Sequence, residues 1–367
     1  MFSTTITLGK PTVAFDGEHG VRAPHELMQQ YLTLLNEQRL SWTEHHRMQQ
    51  LLGAGGQGAV YLSERRGADG FTLPVALKVF SPERYATAAL YDEAMQRIAH
   101  TSALVAQIQQ DNLLDVHNFI DRNRIRLMEM EWVDGFDLAK LLELDMLAHM
   151  QTRVSTRRWN HINNVIVTAG PQQARVKPGV AIAVIRDCLA ALDALHKAGI
   201  VHGDIKPSNI MIKKAGNAKI IDIGSALEWE SEPPRRVCTP YYAAPEVLDA
   251  EECTPRSDLA SLGYTLIEML SGTLPFAGVK DLPTLLEAKR RLAHRLHEIL
   301  PADVVRNELL LNFCRTLVAA DPNRRFPSAE AADLIKEGAS GFQRQLIKSD
   351  LASEYDSEIR LWLSAID

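Results

Sequence analysis

Short apolar runs alternate with polar residues through the first third of the chain, and helical spacing takes over beyond Leu138. Residues 1–20 alternate weakly at Ile6, Leu8, Val13 and Phe15, which fits an extra hairpin or a loose tail. Pro24 to Trp42 carries Leu27, Met28, Tyr31, Leu34, Leu35 and Leu40 on or near one face, predicting an amphipathic helix. Val60 to Ser63 and Leu73 to Phe80 read as strands around a turn at Arg66-Gly67-Ala68-Asp69-Gly70. Tyr85 to Gln110 reads as a long helix, and Arg124 to Met130 as a strand running into Glu131-Trp132-Val133-Asp134-Gly135. Helices are expected near Leu138 to Leu147, Val180 to Ala198 and Phe342 to Ala365. Between the first two, Asn164 to Thr168 and Ala174 to Lys177 read as a hairpin around Ala169-Gly170-Pro171.

Polar residues set among short apolar strands carry the chemistry. Val201-His202-Gly203-Asp204-Ile205-Lys206-Pro207-Ser208-Asn209-Ile210 is followed, eighteen positions after Asp204, by Asp222 in Ile221-Asp222-Ile223-Gly224. This spacing supplies the polar tools of phosphoryl transfer. One Asp can take the proton of an attacking hydroxyl, and a Lys can neutralise charge on the moving group. An Asn and a second Asp can hold magnesium against the phosphates. Ile200, Val201, Ile210, Met211, Ile212, Ile220 and Ile221 would bury the strands that hold these groups in place.

With these residues the chain resembles the eukaryotic-type serine/threonine protein kinases. Gly53-Ala54-Gly55-Gly56-Gln57-Gly58-Ala59-Val60 matches the glycine-rich loop, and Val75-Ala76-Leu77-Lys78 the strand with the nucleotide-binding lysine. Ala244-Pro245-Glu246 closes the activation segment. Asp258 to Gly263, Gly272 to Phe276 and Asp321-Pro322-Asn323-Arg324-Arg325 match later landmarks, in family order. The resemblance implies an α+β, bilobal fold: a small β-rich N-lobe with one main helix, and a larger, mostly helical C-lobe. Expected boundaries are an extension at 1–45, a kinase domain at 46–335 divided at 131/132, and a helical extension at 336–367.

The resemblance also implies roles. Gly53, Gly55, Gly56 and Gly58 would close over the phosphates of ATP. Lys78 would contact the α and β phosphates and pair with Glu93, although Arg97 stands where the family places an apolar residue. Val60, Ala76 and Met211 would sandwich the adenine, with Met130 behind it. Backbone groups of Glu131 and Val133 would bond its edge, and Asp137 would reach the ribose. Asp204 would be the base, and Asn209 and Asp222 would hold Mg2+. Lys206 and Thr239 mark serine/threonine specificity, with the Thr239 hydroxyl bridging Asp204 and Lys206. The Glu of Ala-Pro-Glu, Glu246, would pair with an arginine of the Asp321–Arg325 segment. The alternatives are a small-molecule kinase resembling the aminoglycoside phosphotransferases, and a nucleotide-binding pseudokinase. Most regulated kinases have Arg before the catalytic Asp. Here that position is Gly203, so activation-segment phosphorylation is expected to be unnecessary.

Composition adds limits. The net charge of -6 gives no general reason to expect a nucleic-acid or membrane partner. Cys188, Cys238, Cys253 and Cys314 lack metal-ligand spacing and fit reduced thiols of a cytoplasmic protein. Met146 to Arg186 contains no Asp or Glu but carries Arg153, Arg157, Arg158, Arg175, Lys177 and Arg186. An inserted basic hairpin is therefore expected at about 146–179. It reads either as a solvated surface insertion or as a docking patch for an acidic partner.

Overall fold

A computed structural model describes residues 45–229, 238–348 and 355–366. The expected N-terminal hairpin or tail and the helix from Pro24 to Trp42 lie outside the described residues.

The small lobe is a five-stranded antiparallel sheet in the order β1-β2-β3-β5-β4: β1 (His45–Gly55), β2 (Gly58–Arg66), β3 (Thr72–Phe80), β4 (Val116–Arg122) and β5 (Ile125–Glu131). Gly58 stands at the β1–β2 turn with φ +138°. A Cβ there would lie 1.9 Å from the Val79 carbonyl oxygen, so β2 can approach β3 this closely only at a glycine. One helix, α1 (Ala88–Val105), packs on this lobe through Tyr91, Ala94, Met95, Thr101, Ser102 and Val105. It starts where Thr87 accepts the Leu90 N–H and stops short of the predicted end at Gln110. The chain then crosses to the large lobe. There Leu114 N–H donates to the Ile220 carbonyl and Ile220 N–H to the Asn112 carbonyl.

The large lobe opens with β6 (Gly135–Asp137), α2 (Leu138–Leu141) and α3 (Leu144–Arg153). Then come α4 (Thr156–Val165), the pair β7 (Val167–Ala169) and β8 (Ala174–Val176), and α5 (Pro178–Lys197). The short strands β9 (Ile200–Val201), β10 (Ile210–Lys213), β11 (Ala218–Ile220) and β12 (Leu227–Glu228) frame the segment from His202 to Gly224. Beyond it lie α6 (Pro245–Leu248), α7 (Pro255–Ser271), α8 (Leu282–Ile299), α9 (Ala302–Val305) and α10 (Glu308–Leu317). The chain ends in α11 (Ala329–Leu334), α12 (Ala339–Lys348) and α13 (Tyr355–Leu363). Sixteen of the seventeen α7 residues are buried, all but Arg256. That makes α7 the axis of the lobe, surrounded on every side by protein.

The insertion is not a solvated surface hairpin. Only β7 and β8 form one, and Ile162, Ile166, Val167, Ala174 and Val176 are at most 1% exposed. Several of its basic side chains have partners within the chain, while Arg157 is exposed. Arg153 donates to the Ile366 carbonyl (2.8 Å), and Arg158 to the Leu361 carbonyl (3.0 Å) and Ser364 Oγ (2.6 Å). His161 lies 2.7 Å from Glu358, Arg175 pairs with Asp303, and Arg186 with Asp333 at 2.7 Å. These groups tie the insertion to α13 and neighbouring helices. In α13, Ile359, Trp362 and Leu363 are each 1% exposed, whereas Leu361 is 38% exposed.

α5 meets β11 through a buried acid. Asp187 accepts the Ala218 N–H at 2.7 Å. Burial and then the Asp356 carboxylate of α13 push its pKa up from 3.8 to about 6, against the N–H bond and the charges of Arg186 and Lys213. The folded state therefore binds the proton better than the unfolded chain between these values. Stability from this group falls as pH rises from about 4 to about 6 and stays low above it. Asp187→Asn is expected to flatten that part of the profile and to raise stability at pH 7 by on the order of 1–3 kcal/mol. Urea denaturation at a series of pH values measures both effects. An unchanged profile would contradict the assignment.

Candidate active site

The two lobes enclose a cleft of about 2020 Å³ whose lining includes the glycine-rich turn, the Glu131–Val133 connection and the segments around Asp204 and Asp222. Its roof is β1 to β3. Val60, Ala76, Met130, Val133 and Met211 all line it, as the apolar reading required. Glu131 and Asp137 line it too, with side chains committed elsewhere. Glu131 pairs with Lys219 and accepts the Asp115 N–H (2.7 Å), which ties the connection between the lobes to the segment after α1. Asp137 caps α2 by accepting the Lys140 N–H at 2.8 Å, a local role that the ribose expectation did not include.

The floor is held by α7. Its Asp258 is wholly buried and accepts the N–H groups of His202 (2.8 Å) and Gly203 (2.9 Å), with His196 Nε2 2.9 Å away. Burial alone would raise the Asp258 pKa. The His196 hydrogen bond, the His196 and His202 charges and the Gly203 N–H together hold it below its usual value.

Asp204 sits on this floor within a closed set of hydrogen bonds. Lys206 Nζ donates to its Oδ2 at 2.6 Å, and the Thr239 hydroxyl to its Oδ1 at 2.7 Å. Lys206 also donates to Thr239 Oγ1 (2.8 Å), so the expected Thr239 bridge is formed. Asn209 Nδ2 donates to the Asp204 carbonyl (2.8 Å) and to Oδ2 (3.2 Å). Asn209 thus turns its amide nitrogen inward, leaving an oxygen as the group it can offer a hard cation.

Across the cleft the expected pairing is different. Lys78 Nζ pairs with Asp222 and donates to Gln57 Oε1 at 2.7 Å, while Gln57 Nε2 donates to Ser225 Oγ at 3.2 Å. Glu93 instead pairs with Arg97 at 2.7 Å, with side chains 57% and 46% exposed. The Lys78–Glu93 pair is therefore corrected. The two acidic and basic residues lie one turn apart on α1 and satisfy each other, and Asp222 takes the lysine. Asp222 has φ 60° and ψ 73°, a left-handed conformation uncommon for a non-glycine residue, and its carboxylate accepts the Gly224 N–H at 3.1 Å. Burial would raise its pKa, but the Lys78 charge and the two hydrogen bonds outweigh this and keep it ionised.

Two further positions were not singled out from sequence. Gln57 sits in the glycine loop, where only the glycines gave a signal. Lys289 of α8 is 0% exposed and donates to the Tyr241 carbonyl at 2.8 Å. Its ammonium lies 3.9 Å from the Tyr264 ring centre and 4.3 Å from that of Phe276, and burial pulls its pKa well down. A lysine in a polar helix stretch gives no sign of this in sequence. Glu246 and Arg325 pair as expected, with bonds of 2.6 and 2.8 Å, and Ser257 Oγ donates to the same carboxylate at 2.9 Å.

The protein kinase domain family matches residues 46–335, and the chain belongs to that family. Among similar proteins is serine/threonine-protein kinase PknE of Mycobacterium tuberculosis (strain H37Rv), 29% identical over 64% of this chain and 36% of PknE. PknD of the same strain is 30% identical over 63% of this chain and 30% of PknD. PknH of Mycobacterium bovis is 28% identical over 63% and 34%. The chain thus spans about a third of the length of these curated relatives.

The two ion pairs differ in burial and should differ in stability. Glu246→Ala leaves the wholly buried Arg325 guanidinium without its carboxylate and is expected to cost about 3–5 kcal/mol. Glu93→Ala removes an exposed helix pair and should cost no more than about 0.5 kcal/mol. Denaturant midpoints compare them, and equal losses would contradict the burial argument.

Proposed function

We propose that this chain transfers the γ-phosphoryl group of ATP to serine or threonine hydroxyls of protein substrates. The observation that carries the reading is the closed set Asp204–Lys206–Thr239–Asn209 on the floor of a cleft, with Lys78 reaching down from the roof to Asp222 on the same floor. Asp204 accepts the proton of the attacking hydroxyl, and Lys206 and Thr239 fix its two oxygens in place. Lys206 also offers positive charge to the phosphoryl group. ATP enters under the glycine turn, with its adenine between Val60, Ala76 and Met211 against Met130. Backbone groups of Glu131 and Val133 serve the adenine edge. Lys78 serves the phosphates once it exchanges Asp222 for them. Asn209 and an ionised Asp222 form an oxygen-donor set that fits a hard divalent cation. Magnesium, when bound there, supplies charge against the phosphate oxygens.

The Thr239 bridge and the Glu246–Arg325 clamp favour a protein substrate over a small molecule, because both order the segment beside Asp204 on which a peptide would lie. The reading places the protein in a reducing compartment, with Cys188 and Cys314 as fully buried thiols. Among the described residues no helix is long and apolar enough to cross a membrane.

The reading includes activity without a phosphate on the activation segment. Gly203 offers no cation to pair with one. Thr239 already donates to Asp204, so a phosphate there would set a negative charge against the base. Ser231, Arg235 and Arg236 of the same segment lie outside the described residues.

Asp204→Asn is expected to lower phosphoryl transfer by about 10²- to 10⁴-fold while ATP affinity stays within a few-fold. Labelled ATP with magnesium and a mixed panel of proteins and small molecules measures transfer, and calorimetry measures binding. Activity near wild type would reject Asp204 as base. ATP binding without transfer by the wild type would favour the pseudokinase. Phosphatase-treated protein, shown phosphate-free by mass spectrometry, should keep most of its activity. A large loss restored by phosphate at Ser231 or Thr239 would overturn that part of the reading.

A further inference from the structure

The turn between β7 and β8 reaches the central helix. The N–H groups of Gln172 and Gln173 both donate to the Gly272 carbonyl, at 3.1 and 3.0 Å, and Gly170 N–H closes the turn on the Gln173 carbonyl at 2.9 Å. A Cβ on Gly170 or on Gly272 would lie 2.9 Å from the Cα of the other, so the turn is seated at backbone contact. This seat delivers the Gln173 side chain to Glu268 of α7, where Nε2 donates to Oε1 at 2.9 Å.

Glu268 is only 5% exposed, and its other oxygen accepts the Tyr242 hydroxyl at 2.6 Å. Tyr242 N–H donates to the Thr239 carbonyl (2.9 Å), and the Thr239 hydroxyl donates to Asp204 (2.7 Å). A continuous set of hydrogen bonds thus runs from the inserted turn to the catalytic aspartate. We propose that Gln173 is a positioning residue for phosphoryl transfer, acting through Glu268 and Tyr242 on Thr239 and Asp204. This rests on the reading of Asp204 as the base.

A buried carboxylate must have its oxygens satisfied. With Gln173 in place, one oxygen takes an amide donor and the other stays free to hold Tyr242. Without Gln173, Oε1 loses its donor while the carboxyl group stays buried. The carboxylate then turns toward Tyr242, or takes up a proton and competes with the tyrosine hydroxyl. Either change loosens the acceptor that fixes Tyr242, and with it the Thr239 contact to Asp204. The insertion therefore takes part in the chemistry.

The test uses the full chain with ATP, magnesium and dephosphorylated casein as the substrate probe. Gln173→Leu is expected to lower kcat by roughly 10- to 100-fold, the scale of a small misplacement of a reacting group, with KM for ATP within about twofold. Gln173→Glu should do the same or worse, since it sets two carboxylates face to face. The exchanged pair, Gln173→Glu with Glu268→Gln, rebuilds an amide-to-carboxylate bond and leaves an amide oxygen for Tyr242. It should recover at least about tenfold of the kcat lost in Gln173→Glu, corresponding to roughly 1.4 kcal/mol in the barrier. Thermal midpoints check that each variant is folded. If Gln173→Leu does not fold, the exchanged pair against Gln173→Glu decides. Full kcat in a folded Gln173→Leu variant, or no recovery in the exchanged pair, overturns the proposal and leaves the Asp204 reading standing. A fully active Asp204→Asn variant would sink that reading instead.

Discussion

A carboxylate buried in the centre of the large lobe fixes everything near the reacting atoms. Asp258 is 1% exposed, in a helix whose other residues are almost all buried. An ionised group so placed is tolerated only if donors surround it. Those donors are the N–H groups of His202 and Gly203, together with His196. Solvation of one charge thereby becomes the shape of the segment that carries Asp204. His202 extends the constraint, since its Nε2 lies 3.1 Å from the Ile221 carbonyl, next to Asp222. One buried charge thus sets the positions of both acidic residues of the site.

The upper side of the cleft follows a different rule. Lys78 is 5% exposed and needs an anion. Two carboxylates could have served. Glu93 lies on the helix of the small lobe, half in solvent, where Arg97 four residues on satisfies it. Asp222 is less exposed than Glu93, with 32% of its side chain in solvent against 57%, and is held ionised, so it has more to gain from the ammonium. Gln57 completes the arrangement by bonding both Lys78 and Ser225, so the glycine turn is drawn onto the floor. The floor is rigid because its bonds are buried and redundant. The roof hangs on a few side chains that phosphate oxygens could replace.

The insertion and the C-terminal helix belong together. The arginines of α3 and α4 donate to carbonyl groups near the end of α13, and Trp362, Ile359 and Leu363 fill the apolar seat beneath. The turn at the far end of the same insertion lies against α7 and Glu268. A segment with no acidic residue is accordingly an internal clamp whose positive charges meet carbonyls and acids of this chain.

The sequence by itself determined the catalytic floor and the order of the elements. Asp204, Lys206, Asn209 and Asp222 were legible because they fall within short segments bounded by buried strands. The chain between them can be spanned in only a few ways, so spacing translates into distance. The strands β2, β3 and β5 were legible as short apolar runs bounded by turn residues. The Glu246–Arg325 pair was legible only through the family resemblance, since its members stand far apart in the chain. Tertiary structure decided the choices among competing partners. Whether Lys78 meets Glu93 or Asp222 depends on burial, which no local pattern encodes. Whether the arginines of the insertion face solvent depends on where α13 docks. Lys289 and Gln173 acquired their partners only when α8 and the inserted turn packed against α7. A charge finds its partner by relative desolvation in the folded molecule. Periodicity along the chain records which face of an element is buried, but not which ions share it.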